Sequence, residues 1–188
     1  MENLKRSQLT VRIAALAGRR PDAEDAETPR FPLGNAALVR EKLVGVFSQK
    51  AFTTLVCSAA CGADLLALDV AAELDLDTRI ILPFEPAIFR KQSVIDRPGE
   101  WGLLFDRIIE RAQAKHGLQV LGFEVNDQDA FSKTNEAIVS FAHRLAGSEP
   151  VASVLVWDEH SRGSGDATQE FEKLCQEAGF YKVEISTL

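Results

Sequence analysis

The chain has 188 residues, of which 46% are hydrophobic and 26% are charged, a composition typical of a folded globular protein with one core. Its formal net charge is −7 and it has no run of lysine or arginine, so a nucleic-acid partner is not expected. No stretch approaches the ~20 apolar residues of a membrane span, and Arg12 interrupts the first apolar segment, which argues against a signal peptide. We therefore expect a cytoplasmic protein with one domain over residues 1–188, of which residues 1–10 are peripheral.

Apolar runs of strand length alternate along the chain with longer segments of helical period, the pattern of βαβ units. The spacing predicts helices over the segments 36–47, 64–75, 101–112, 131–145 and 167–178. It predicts six strands, over 11–17, 53–58, 78–83, 118–124, 151–157 and 181–186. This is an α/β pattern, and it predicts a mostly parallel six-stranded sheet with helices on both faces.

Residues 21–32 contain three prolines and several acidic residues without periodicity. This composition predicts either a loop over the ligand-binding edge of the sheet or a mobile flap.

Short polar or glycine-rich stretches follow four of the predicted strands. They cover residues 18–20, 58–64, 83–85 and 157–168. Because the carboxyl ends of parallel strands lie along one edge of a sheet, where α/β proteins bind ligands, we expect these stretches to form one site.

The last of these stretches leads from a strand into a helix, where backbone N–H groups and the helix dipole favour an anion. Gly163 and Gly165 would allow a phosphate to approach the backbone, and Ser164 and Thr168 would donate hydroxyl hydrogen bonds. Asp166 also fits a helix N-cap that needs no ligand. Both interpretations of this loop stay open at this stage.

The turn over residues 58–64 offers Ser58, Gly62 and Ala63 for close contact with a ligand. Asp64 would either accept a hydrogen bond from a ribose hydroxyl or cap the following helix. Neither this turn nor the last loop matches the dinucleotide or Walker fingerprints, so hydride transfer and P-loop phosphoryl transfer lack their usual signatures.

Charged residues flank the same predicted edge. Arg19 and Arg20 end the first strand, where guanidinium groups bind phosphate or carboxylate. Glu85 and Asp158 follow the third and fifth strands, and we expect them near a bound sugar, although no general acid or base can be assigned from the sequence.

Three cysteines form no Cys-x-x-Cys pair, which argues against a zinc site and a disulfide framework. We expect Cys57 and Cys175 to be buried, and Cys61 to be exposed if the glycine turn is open. The sequence predicts no metal and no cofactor.

Several motifs together resemble one superfamily. They are Ala17–Arg20, Cys61–Ala67 with Ile81–Phe84, and Trp157–Asp158 with Arg162–Thr168. In this order they resemble the SLOG superfamily, which includes the LOG phosphoribohydrolases, the DprA/Smf proteins and the YpsA-like proteins. The resemblance covers roughly residues 11–186.

The resemblance implies a Rossmann-like, doubly wound sheet that binds a nucleotide or nucleotide-derived molecule, in a protein that forms a homodimer. Many similar domains look like sensors. Together with the strand-end stretches, the resemblance leads us to expect these residues at the ligand: Gly18, Arg19, Arg20, Ser58, Gly62, Ala63, Asp64, Pro83, Glu85, Asp158, Gly163, Ser164, Gly165 and Thr168.

The LOG members of the superfamily cleave the N-glycosidic bond of nucleoside 5′-monophosphates with a Pro-Gly-Gly-x-Gly-Thr-x-x-Glu motif. If Thr168 aligns with its threonine, Phe171 takes the glutamate position, and Glu170 lies one residue early, about 100° around the helix. We therefore expect a sensing or regulatory module. The alternatives are a nucleotide N-glycosidase with other carboxylates, and a structural subunit whose crevice is filled by its own side chains.

Overall fold

A computed structural model describes residues 12–188. Strands and helices alternate along the chain, except that two helices lie between the third and fourth strands, and a short 3-10 turn lies at Leu33–Asn35. The strands are β1 Ile13–Gly18, β2 Thr54–Cys57, β3 Asp77–Leu82, β4 Leu118–Val120, β5 Val151–Trp157 and β6 Tyr181–Ser186. The helices are α1 Ala36–Lys50, α2 Ala63–Glu73, α3 Pro86–Ser93, α4 Trp101–Ala114, α5 Ala130–Ala146 and α6 Ala167–Glu177.

The strands form one sheet in the order β4-β3-β2-β1-β5-β6, and every neighbouring pair is parallel. The chain builds outward from β1 to β4, and α5 then returns it to the other side of β1. The strand order therefore reverses between β1 and β5. In doubly wound sheets this reversal opens a crevice at the carboxyl ends of the strands.

Helices cover both faces of the sheet. Side chains of α1 to α4 share one hydrophobic cluster with Ala14 and Leu16, whereas α5 and α6 share a second cluster with Ile13 and Ala15. Successive residues of β1 thus face opposite helix layers. Because a strand between two helix layers is covered on both faces, it is apolar along its whole length, and all seven residues of β5 are buried. The predicted α/β, Rossmann-like, doubly wound fold is confirmed, and the sheet over residues 12–188 is entirely parallel.

The structure differs from the prediction in two elements. The predicted strand 118–124 ends at Val120, since Gly122 has a φ of 72° and turns the chain out of the sheet direction. Helix α3 was not predicted; Pro86 occupies its first turn, and only Phe89 and Ser93 are buried, too few to form an apolar period. Residue 11 of the first predicted strand and the predicted periphery at 1–10 lie outside the described residues.

None of the helices among residues 12–188 is long and apolar enough to span a membrane.

Gly18 ends β1 where the strand packs closely against α2 and β5. A Cβ atom at this position would lie 2.5 Å from the Cβ of Ala63 and 2.5 Å from the carbonyl oxygen of Val156. The backbone of α2 or β5 would have to move to make room for this Cβ atom. We therefore expect Gly18→Ala to lower the free energy of unfolding, measured by urea denaturation, by about 1–3 kcal/mol.

Gly45 provides the matched control. It lies exposed within α1, and a Cβ there would meet no atom within 4 Å. Gly45→Ala should raise the free energy of unfolding by about 0.5–1 kcal/mol, since alanine favours the helix. Equal stability of the Gly18→Ala variant and the wild type would contradict the close packing at the end of β1.

Candidate functional site

Two cavities adjoin at the carboxyl ends of β1, β2 and β5. The first, here the apolar cavity, has a volume of about 230 Å³ and is bounded mainly by Leu16, Phe89, Phe131, Ile138, Asp64 and Ser93. The second, here the arginine cleft, has a volume of about 410 Å³ and is lined by Arg19, Arg20, Arg30, Arg97, Arg162 and Asp166. Gly18, Arg20, Ala167 and Thr168 line both cavities. The predicted stretches after β1, β2 and β5 therefore do converge on one crevice.

Asp64 is the carboxylate in the wall of the apolar cavity. It is 7% exposed, and its Oδ2 accepts a hydrogen bond from the N–H of Ala60 at 3.1 Å. Burial raises the pKa of Asp64 to about 7, and this effect outweighs the Ala60 hydrogen bond and the charge of Arg20, which both lower it. The carboxyl group therefore changes its charge near neutral pH.

The beginning of α2 is hydrogen-bonded within the protein. The N–H of Cys61 donates to the carbonyl of Ser93 at 2.9 Å, and the N–H of Ala63 donates to the carbonyl of Arg19 at 3.1 Å. Gly62 has a φ of 91°, and a Cβ there would meet Pro21 at 2.7 Å, so the glycine is needed for the turn itself. Gly62 and Ala63 thus stabilise the turn next to the crevice, and neither residue lines a cavity.

Arg19 is buried at the base of the arginine cleft, with 3% exposure. Its Nε donates to Oδ1 of Asp158 at 2.9 Å, its Nη1 donates to Oδ1 of Asp166 at 2.7 Å, and its Nη2 donates to the carbonyl of His160. The guanidinium also lies over the ring of Trp157, 5.6 Å from its centroid. Arg19 and Asp158, both predicted to contact a ligand, pair with each other here and hold the 158–166 loop against β1.

Asp166 organises the same loop from its other end. Its carboxylate accepts hydrogen bonds from the N–H groups of Arg162, Thr168 and Gln169 as well as from Arg19. Burial acts to raise the pKa of Asp166, but the hydrogen bonds from Arg19 and the Arg162 N–H outweigh it and lower the pKa to about 2. Asp166 is therefore the N-cap of α6, as one of the two open interpretations predicted, and it occupies two N–H groups that a phosphate would otherwise use.

The remaining arginines make the cleft positive. Arg30 donates to Oδ2 of Asp158 at 2.7 Å, and Arg20 and Arg97 both contact Asp96. The Nε of Arg20 is buried and has no partner within residues 12–188. Arg162 makes no ion pair in the same part of the chain. Arg20 and Arg162 are therefore the arginines of the cleft with hydrogen-bonding capacity left for an anion.

Residues 21–32 form a closed loop along the arginine cleft. The N–H of Asp22 donates to the carbonyl of Phe31, and the Asp22 carboxylate accepts from the N–H groups of Arg30 and Phe31 at 3.0–3.2 Å. Phe31 is completely buried in the core. These residues lie at the carboxyl edge of the sheet, beside the arginine cleft, where the sequence predicted a loop or a flap.

Seven predicted site residues line neither of these two cavities; besides Gly62, Ala63 and Asp158, they are Pro83, Glu85, Gly163 and Ser164. Pro83 is buried behind β3, and Glu85 is exposed at the beginning of α3. Gly163 and Ser164 line a third hollow, which shares Ala167 with both cavities. Glu170 also lines that hollow, where it accepts a hydrogen bond from Ser132, while Phe171 is buried in the core. The Glu170 carboxylate thus borders the third hollow and not the apolar cavity.

The structure adds several residues that the sequence interpretation missed. They are Phe89 and Ser93 on α3, and Thr134, Asn135 and Ile138 on α5. Thr134 and Asn135 are neighbouring polar residues that are buried on the apolar side of α5, which is unusual. Polar residues at these positions of the helical period were the sequence signal that could have identified them.

All three cysteines are buried free thiols, including Cys61, for which exposure was considered. Burial raises the pKa of Cys61 to about 11 and that of Cys175 to about 12, so neither thiol is activated as a nucleophile. Within residues 12–188 no group of three His, Cys, Asp or Glu side chains is placed to hold a metal ion.

No protein-family model and no curated protein matches the chain. Among solved structures, the chain is similar to DNA processing protein A (DprA) from Streptococcus pneumoniae, with a TM-score of 0.43 and 14% sequence identity. The similarity covers 93% of this chain and 59% of that chain, so this chain spans about three fifths of the protein it resembles.

Proposed function

We propose that the crevice binds a nucleotide or nucleotide-derived small molecule, and that the protein acts in the cytoplasm as a sensing or regulatory module. The observation that carries this proposal is the junction of the apolar cavity with the arginine cleft, which share Gly18, Arg20, Ala167 and Thr168. A nucleotide has the same division, with a largely apolar ring at one end and phosphate at the other. The combined volume falls in the roughly 300–1,000 Å³ range of small-molecule sites.

The phosphate end of the ligand is assigned to the arginine cleft. Arg20 and Arg162 would pair with phosphate oxygens, and Thr168, at the shared edge, would donate a hydroxyl hydrogen bond. Gly165 has a φ of 81° and no atom within 4 Å of a Cβ position, which leaves the backbone open on this side. Arg19, Asp158 and Asp166 act here as positioning residues, because their charges are already paired with each other.

The nucleoside end is assigned to the apolar cavity, with Ser58 and Asp64 as its contacts. The wider proposal follows the motif resemblance: one SLOG-like domain over residues 1–188, in a homodimer. The protein's own side chains do not fill the two cavities, which argues against the third alternative, a structural subunit with a closed site.

A nucleotide N-glycosidase is the second candidate. Glu170 lines the third hollow, where Ser132 donates to it, and it does not line the apolar cavity, so we do not assign it to this reaction. Asp64 does face the cavity, and a carboxyl group with a pKa of about 7 suits a general acid or base. Hydrolysis would therefore depend on Asp64 rather than on α6.

The proposal predicts stabilisation by a nucleotide and loss of that stabilisation when the junction is filled. A ligand at 100 times its dissociation constant should add about 2.7 kcal/mol of stability, visible as a rise in Tm. Ala167 is exposed and lines both cavities, so we expect Ala167→Trp to fold normally and to abolish the rise. The measurement is a thermal-shift screen against nucleoside monophosphates, NAD, ADP-ribose and cyclic nucleotides.

Ala87→Trp is the matched control, since Ala87 is an exposed alanine in the first turn of α3 and lines neither cavity. This variant should keep the full rise in Tm. Chromatography after incubation then separates the two candidates: an intact ligand supports a sensor, and free base supports the glycosidase. Absence of any rise across the screen would contradict nucleotide binding.

A further inference from the structure

Two polar residues in the wall of the apolar cavity, Asp64 and Ser93, are hydrogen-bonded to the same turn, Asp64 through its side chain and Ser93 through its backbone carbonyl. The N–H of Ala60 donates to Oδ2 of Asp64 at 3.1 Å, and the N–H of the next residue, Cys61, donates to the carbonyl of Ser93 at 2.9 Å. Asp64 and Ser93 are thus held to consecutive residues of one turn, and both line the cavity. We call this pair of residues the polar edge of the cavity.

Both side chains of this edge have unused hydrogen-bonding capacity. Ser93 is 1% exposed, and its Oγ has no partner within residues 12–188. In the same part of the chain Oδ1 of Asp64 accepts no hydrogen bond. Buried hydroxyl groups are nearly always paired in folded proteins, so an unpaired one beside a cavity takes its partner from a molecule inside that cavity.

Most of the remaining wall offers little to a polar ligand. Thr134 donates its hydroxyl to the carbonyl of Ala130 at 2.6 Å, and Asn135 donates its amide to the carbonyl of Ala167 at 2.9 Å. Phe89, Phe131 and Ile138 provide apolar contacts. A flat ring with polar atoms on one edge suits this wall, whereas a sugar would place hydroxyl groups against the apolar side chains.

We propose that the nucleotide of the proposed function carries an amino-substituted base of the adenine or cytosine type, recognised by Asp64 and Ser93. The exocyclic amino group donates to the Asp64 carboxylate, and the adjacent unprotonated ring nitrogen accepts from the Ser93 hydroxyl. Hypoxanthine and uracil present a carbonyl oxygen where the amino group would be, so Asp64 would face another acceptor. This inference rests on the proposed function and adds the identity of the base.

The test is calorimetric titration at pH 8, above the pKa of about 7 of Asp64, with four probes. They are AMP against IMP, and CMP against UMP. In at least one pair the amino base should bind roughly 10- to 100-fold more tightly, since a wrong partner leaves buried polar groups unpaired. Ser93→Ala should lower the affinity for the amino base, since its ring nitrogen loses a donor. Asp64→Asn should abolish or reverse the ratio, because the amide can turn its N–H toward a carbonyl.

Two distant variants serve as controls for the same chemical changes. Ser48 is exposed on α1, and Asp75 has an 87% exposed side chain after α2. Ser48→Ala and Asp75→Asn should both keep the wild-type ratio.

Other results would overturn the inference and leave nucleotide binding intact. One is equal affinity of the wild type for both members of each pair. Another is a large loss of affinity for 2′-deoxy-AMP that Asp64→Asn removes, which would show that Asp64 contacts the ribose. If none of the four nucleotides binds, the base assignment is wrong, and the screen with the larger ligands decides the proposed function separately.

Discussion

Arg19→Met is expected to lower the free energy of unfolding by about 3–5 kcal/mol, the usual cost of leaving buried charges without their partner. In the wild type Arg19 pairs with Asp158 and Asp166, whose side chains are 4% and 1% exposed. Methionine fills a similar volume but compensates neither carboxylate. For a chain of this length the loss corresponds to a decrease in Tm of roughly 6–20 °C, which calorimetry measures directly.

Arg162→Met is the matched control for this experiment. Arg162 belongs to the same loop, is exposed, and makes no ion pair within the described part of the chain. Its replacement should change the free energy of unfolding by no more than about 0.5 kcal/mol. Similar Tm values for the two variants would show that the buried ion pairs do not hold the 158–166 loop.

Asp64→Asn is expected to remove a large pH dependence of stability. Burial raises the pKa of Asp64 in the folded protein to about 7, whereas the same group has its usual value of 3.8 when exposed in the unfolded chain. Between these two values the unfolded chain has lost the proton and the folded protein retains it, so stability decreases as the pH rises. The decrease amounts to about 4 kcal/mol by pH 8, at about 1.36 kcal/mol for each pKa unit.

The measurement is urea denaturation of the wild type and of Asp64→Asn at pH 4, 6 and 8. The two proteins should differ little at pH 4, and the variant should be more stable at pH 8 by up to about 4 kcal/mol. Ser58→Ala changes a neutral side chain in the same cavity, so its difference from the wild type should not vary with pH. A constant difference for Asp64→Asn would mean that Asp64 is ionised in the folded protein throughout this range.

Most of the fold could be predicted from the sequence because its strands are short apolar runs between longer periodic segments. All six predicted strands exist, and β6 has the predicted bounds at Tyr181–Ser186. Helix α3 was missed for a physical reason: it has eight residues, starts with Pro86, and is stabilised by burying Phe89 rather than by an apolar stripe.

The position of the site could be predicted from the sequence, whereas much of its chemistry could not. The predicted ends of the strands located the crevice, since parallel strands place their carboxyl ends along one edge of the sheet. The partners of Arg19 lie 139 and 147 positions away, so a local motif suggested a ligand contact where the folded protein has a buried ion pair. Ser93 had no sequence signal, because its helix was not foreseen.

The central position of β1 has a consequence for synthesis of the protein. Ile13 lies beside Thr54 on one side and beside Val151 on the other, so one side of β1 stays unpaired until β5 has left the ribosome. An apolar strand with free N–H and C=O groups readily pairs with other chains, and contacts so distant in sequence form slowly. Nascent chains that stop before β5 therefore carry β1 as an aggregation-prone strand at the open edge of an unfinished sheet.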